Sequence, residues 1–179
     1  MSARLFAALE LPAPVREALG AFGRAAAADD FALRAVGDDA LHVTLAFLGH
    51  RPLDDIEPAC EAVRAAAGPV PALALGDALW LAPRRPHVLT VEVRDADGTL
   101  FALQERAVAA LVDAVGYEPD RRRFRPHVTV ARGRHGAAPR RSGLPEAPRA
   151  EFAGAAVVLY RSWLGGGPAR YEALERVAL

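Results

Sequence analysis

The chain predicts an α+β fold of two pseudo-symmetric lobes, each an antiparallel sheet backed by helices, closed around a central active-site groove. Three observations lead there. The tetrad His42-Val43-Thr44-Leu45 returns as His127-Val128-Thr129-Val130, each copy followed by an alanine and soon after by Gly49 or Gly133. The order strand, helix, tetrad occurs in both halves at nearly the same offset. Trp80 and Trp163 recur at almost that offset too, each near the end of an expected strand. Together these imply an internal duplication within one domain over 1–179, with copies at roughly 4–82 and 88–165. A parallel doubly wound sheet fits less well.

Each element has its own signal. RLFAALEL, from Arg4 to Leu11, reads as a strand, and Val15, Leu19, Phe22 and Ala26 then share one helical face. In the first tetrad strand His42 and Thr44 point one way and Val43 and Leu45 the other, because strand side chains alternate. Asp54 with Glu57 suggests a capped helix ending at Gly68-Pro69, on which Cys60 sits with Ile56, Val63 and Ala67 as a small core residue. His87 to Val93 reads as a strand. Leu100, Leu103, Ala107, Leu111 and Ala114 then stripe a helix that stops at Gly116 before the second tetrad. The stretch from Ala137 to Arg149 is rich in Pro, Gly and Arg and reads as loop, and Gly165 to Pro168 as a turn. His50 and His135 are expected in solvated loops, and Trp80 and Trp163 as core plugs.

Composition excludes several classes. The 179 residues, 52% of them hydrophobic, suffice for a sizeable core. The opening apolar stretch is cut short by Glu10 and Pro12, and no later run is long enough to span a bilayer, so a cytoplasmic monomer is expected. One cysteine excludes an internal disulfide. There is no lysine, hence neither a P-loop lysine nor a lysine that carries adenylate, and the glycines at 165–167 lack the spacing of a dinucleotide fingerprint.

Two matched imidazole and hydroxyl pairs suit one kind of reaction. Opening a five-membered cyclic phosphate needs water deprotonated on one side of phosphorus and the leaving ribose oxygen protonated on the other, since displacement is in line. Imidazole serves both roles near neutrality, which gives a bell-shaped pH profile, and each threonine can donate to a non-bridging oxygen. No metal or other cofactor is needed. Two other classes compete: a metallohydrolase, for which neither tetrad offers a spacing such as His-Glu-x-x-His, and a non-catalytic RNA-end-binding module, for which 7% aromatic residues is sparse. His87 is a decoy, because it stands three residues before Thr90 and so on the opposite strand face.

The doubled His-x-Thr-x signature, LHVTLAFLG first and RPHVTVARG second, resembles the two-histidine phosphoesterases, and within them the RNA 2′,3′-cyclic phosphodiesterases, also called 2′-5′ RNA ligases. Arg4-Leu5-Phe6-Ala7 and Leu11-Pro12 extend the resemblance over essentially the whole chain. It implies hydrolysis of an RNA 2′,3′-cyclic phosphate to a 2′-phosphomonoester, with His42 as proton donor to the 3′ oxygen and His127 as proton acceptor from water. It implies Thr44, Thr129 and Arg132 as phosphate ligands. The partners implied are RNA ends with a cyclic phosphate, and small cyclic nucleotides; 2′-5′ joining would be the reverse reaction. Where relatives carry an aromatic residue shortly before the first tetrad, this chain has Arg34-Ala35-Val36.

Charge placement agrees with an RNA substrate, although the net charge is zero. Arg121, Arg122, Arg123, Arg125, Arg132, Arg134, Arg140 and Arg141 fall in a stretch without an acid, so an RNA end is expected over the second lobe. The alternative for these arginines is a solvated surface.

Overall fold

The computed structural model describes residues 1–81, 87–140, 142–163 and 169–179. The expected turn at Gly165 to Pro168, and Arg141, lie outside them. In chain order the elements are β1 (Ser2–Glu10), α1 (Ala13–Asp29), β2 (Leu33–Ala35), β3 (His42–Pro52), α2 (Ile56–Ala66), β4 (Leu73–Leu81), β5 (Val88–Asp95), α3 (Thr99–Val115), β6 (His127–Gly133), β7 (Glu151–Phe152), β8 (Ala156–Trp163) and β9 (Arg170–Ala178). The fold is α+β, and every strand pair is antiparallel.

The strands run in the order β7-β4-β5-β6-β3-β1-β8-β9, with β2 on β6. Between β3 and β6 a single pair, Val43 opposite Val128, joins the two halves of the sheet, and both valines are fully buried. β7, β4, β5, β6 and β2 form one lobe, and β3, β1, β8 and β9 the other. Sequence order does not follow lobe order: β4, which ends the first half of the chain, pairs with β5 of the second, while β8 pairs with β1 of the first. Each half thus lends its last strand to the other half's sheet.

The helices cover the face opposite the cavity. Val15, Leu19, Phe22 and Ala26 of α1 are buried as their spacing predicts, and α1 packs across β2 and β6. Gly23 permits that approach, because a Cβ there would meet the Val130 carbonyl oxygen at 2.5 Å. Leu100, Leu103, Ala107 and Leu111 of α3 are buried, but Ala114 is exposed and Val115 takes the inward place. Three turns of helix carry the stripe past position 114, and Gly116, at φ 61°, ends it as expected.

Around α2 the sequence expectation holds in part. The helix forms and buries Cys60, whose thiol is pushed up by burial, yet no side chain caps it, because Asp54 and Asp55 belong to a 3-10 turn over Leu53–Asp55. Residues 137–140 and 142–149 carry no helix or strand. His50 lies within β3 opposite Arg4 rather than in a loop, while His135 stands exposed in a turn. Trp80 packs on the core, but Trp163 is exposed with the Arg161 guanidinium over its ring, so it is not a core plug. Among the described residues no helix is long and apolar enough to cross a membrane.

Candidate active site

Both catalytic candidates stand at the first position of a strand. His127 Nδ1 lies 2.6 Å from the Arg125 carbonyl oxygen. That oxygen accepts only, so Nδ1 carries the proton and Nε2 is the free nitrogen. The Ala40 backbone, at the end of a short 3-10 turn over Asp38–Ala40, favours the protonated form of the His42 ring.

The Val43–Val128 pair sets how the four tetrad side chains meet. Continuing that register by one residue places His42 across from Thr129 and Thr44 across from His127. All four then project from the face opposite the buried valines, with the histidines at diagonal corners. Diagonal neighbours across antiparallel strands are about 7–8 Å apart, a gap that one phosphate can bridge. The four side chains line one cavity of about 620 Å³.

Arg132 reaches that cavity because of a bulge. In β6, Thr90 pairs with Thr129 and Leu89 with Ala131, so Val130 is an extra residue. The alternation slips by one there, and Arg132, three past Thr129, shares its face. The first tetrad contains the same device. Ala8 pairs with Thr44 and Ala7 with Ala46, Leu45 is extra, and Phe47 lines the cavity three residues past Thr44. Equivalent positions therefore present a cation in one lobe and an aromatic ring in the other.

An aromatic stack, unforeseen from the sequence, supports His42. Its ring lies on Phe6 with centroids 4.9 Å apart, and Tyr171 meets it edge-on at 5.6 Å. Behind Phe6 stands Tyr160, whose hydroxyl donates to Glu10 at 2.7 Å, and Glu10 also accepts from Arg176. Burial and the Glu10 hydrogen bond push the Tyr160 phenol up, so it stays protonated and holds the stack in place. Burial lowers the His42 pKa to about 4, opposed by the Ala40 backbone and assisted by the charges of Arg132 and His127. Those last two influences place His127 and Arg132 within electrostatic reach of His42.

The remaining arginines divide by use. Arg4 and Arg34 also line the cavity. Arg4 rests over the Phe47 ring at 4.5 Å and donates to Ser162. Arg34 stands directly opposite Arg132 across β2 and β6. Of the eight arginines expected to form an RNA surface, only Arg132 lines the cavity among the described residues. Arg122 is paired with Asp120, which lies just before the acid-free stretch, while Arg134 donates to the Phe31 carbonyl just past α1 and Arg140 to that of Asp29, the last residue of α1. His87 lies exposed over Gly133, away from the cavity. Among the described residues no three His, Cys, Asp or Glu side chains gather as a metal site.

The model of the 2′-5′ RNA ligase superfamily matches residues 12–163. A curated relative, the RNA 2′,3′-cyclic phosphodiesterase of Geobacillus stearothermophilus, is 32% identical over 175 residues, which cover 94% of this chain and 55% of that protein. The chain thus spans about half the length of the curated relative it matches. Among solved structures, Escherichia coli LigT complexed with 3′-AMP is similar at a TM-score of 0.80 and 29% identity, covering 100% of this chain and 99% of that one. A Thermus thermophilus protein, TT0787, is similar at 0.75 and 28%, covering 98% and 97%. With a matching family model over most of its length and both tetrads on one cavity, the chain belongs to the 2′-5′ RNA ligase superfamily.

Proposed function

We propose that the chain is a phosphodiesterase that hydrolyses RNA 2′,3′-cyclic phosphate ends to 2′-phosphomonoesters by acid–base catalysis from two histidines, without a metal. The observation that carries this reading is the pair of imidazoles on one face of two adjoining strands, lining one cavity with a threonine across from each and with Arg132. The Geobacillus relative is named as an RNA 2′,3′-cyclic phosphodiesterase. His127 Nε2 takes a proton from water as the oxygen attacks phosphorus; the bond from phosphorus to O3′ breaks, and His42 delivers its proton to O3′. Thr44, Thr129 and Arg132 hold the non-bridging oxygens, whose charge grows in the transition state.

Phe47 and Phe6, on which the His42 ring stacks, belong to the lobe of β3 and β1, while Arg132 belongs to the lobe of β6 and acts electrostatically on His42 from there. A neutral His42 is no obstacle to the acid role. The cyclic phosphate is an anion and offsets the Arg132 charge that depresses the imidazole, so binding raises the His42 pKa. Run backwards, a 5′-hydroxyl takes the place of water and 2′-5′ joining results, by microscopic reversibility.

The test is incubation with an RNA ending in a 2′,3′-cyclic phosphate in the presence of EDTA. A 2′-phosphate product is expected, and His42→Ala and His127→Ala should each lower kcat by roughly 10²–10⁴. A 3′-phosphate product, activity abolished by EDTA, or activity retained in both variants would overturn the reading.

A further inference from the structure

Among the described residues three arginines line the cavity, and the reacting phosphate accounts for one of them. Arg132 is that one. Arg4 is already engaged, stacked on Phe47 and bonded to Ser162. Arg34 is exposed, with no hydrogen-bond or carboxylate partner among the described residues, and it faces Arg132 directly across two paired strands. Opposed cross-strand side chains have Cβ atoms about 5 Å apart, and like charges so placed repel unless an anion lies between or beside them. The two carboxylates on the same wall leave this unrelieved: Asp38 is paired with Arg24 at 2.6 Å, and Asp39 forms no ion pair among the described residues.

We propose that Arg34 is a second phosphate site, which takes the phosphate on the 5′ side of the terminal nucleotide while Arg132 holds the cyclic one. This rests on the phosphodiesterase reading for the identity of the substrate, though not for the binding itself. Cavity size agrees. About 620 Å³ lies within the range of sites that enclose drug-sized ligands, so there is room for more than a phosphate and its ribose. The guanidinium fork is suited to a phosphate or a phosphodiester alike. The ligand chemistry is shared by two sources, the internal phosphodiester of an RNA chain and the 5′-monophosphate of a single nucleotide.

Binding and kinetics test it together. Adenosine 2′-monophosphate and adenosine 2′,5′-bisphosphate are titrated into the unaltered protein and into Arg34→Gln. The extra phosphate should tighten binding to the unaltered protein roughly tenfold, the scale of one charge-assisted contact. In Arg34→Gln that preference should vanish, with the 2′-monophosphate affinity unchanged, which also reports that the variant is folded. In parallel, KM is measured for adenosine 2′,3′-cyclic phosphate, for the same compound with a 5′-phosphate, and for a dinucleotide ending in the cyclic phosphate. Arg34→Gln should raise KM for the last two and spare the first; a rise confined to one of them identifies its source as the natural one. An equal loss for all ligands would place Arg34 on the reacting phosphate and overturn the proposal, as would no preference in the unaltered protein. Since the titrations need no turnover, an absence of hydrolysis would strike the phosphodiesterase reading alone.

Discussion

The His42 ring sits in surroundings far less polar than water. Its neutral form is favoured in the folded protein, with a pKa of about 4 against an ordinary 6.5, because the Phe6 and Tyr171 rings exclude the solvent that an imidazolium needs. Tyr171→Ala should therefore move the acidic limb of the kcat/KM profile upward in pH, and an unmoved limb would deny that burial sets it. The same shift governs stability. The unfolded chain binds the proton first as pH falls, so the stabilisation from a neutral His42 is complete above about pH 6.5 and is lost on the way down to about 4. Melting temperatures of the protein and of His42→Gln, followed from about pH 7 to about pH 4, should converge toward the acidic end. The tetrads themselves were legible because alternation alone puts imidazole and hydroxyl on one side. The stack was not, since Phe6, Tyr160 and Tyr171 come from three strands that meet only in the sheet.

At the scale of elements, the bulges decide which side chains reach the cavity. Strict alternation would turn Arg132 away from Thr129, and no residue type at Val130 announces the slip; the register against β5 reveals it. The bulge is seated by α1. The Val130 carbonyl accepts a hydrogen bond from the Val36 amide and faces Gly23 closely. Gly23→Ala forces a Cβ against that backbone oxygen and should cost about 1–3 kcal/mol in stability by overpacking. Because the displaced group is the bulge, KM should rise as well, as Arg132 shifts. Denaturant melts and steady-state kinetics on the same variant check both effects. Helical stripes were readable to within a residue, whereas β9 was invisible: Glu, Ala, Leu and Arg over Arg170–Ala178 are helix formers, and this edge strand exists only because β8 offers it a partner.

On the scale of the whole molecule, the repeated order of elements was visible, but the exchange of β4 and β8 was not, because a repeat fixes what each half contains and not where its last strand pairs. We propose that the halves arose by duplication and remained interlocked. Neither half holds a complete sheet, so fragments covering 1–82 and 88–179 should each be unfolded alone and regain the circular dichroism of the intact chain when mixed. A folded single fragment would contradict the exchange. Apart from Arg132, the arginine-rich stretch lies outside the cavity lining among the described residues. With Arg122 neutralised by Asp120 and absent from the cavity lining, Arg122→Glu should leave turnover of a short cyclic-ended RNA nearly unchanged at moderate salt. Measurement of KM at two ionic strengths tests this.

The twin bulges give the molecule a pair of interchangeable sockets. Whatever stands at 47 or 132 is delivered to the cavity by backbone geometry that His42 and His127 do not share, so these two positions can change while both histidines stay in place. Under the proposed duplication, a single frame came to carry a grip for charge on one bank and a shelf for a flat ring on the other.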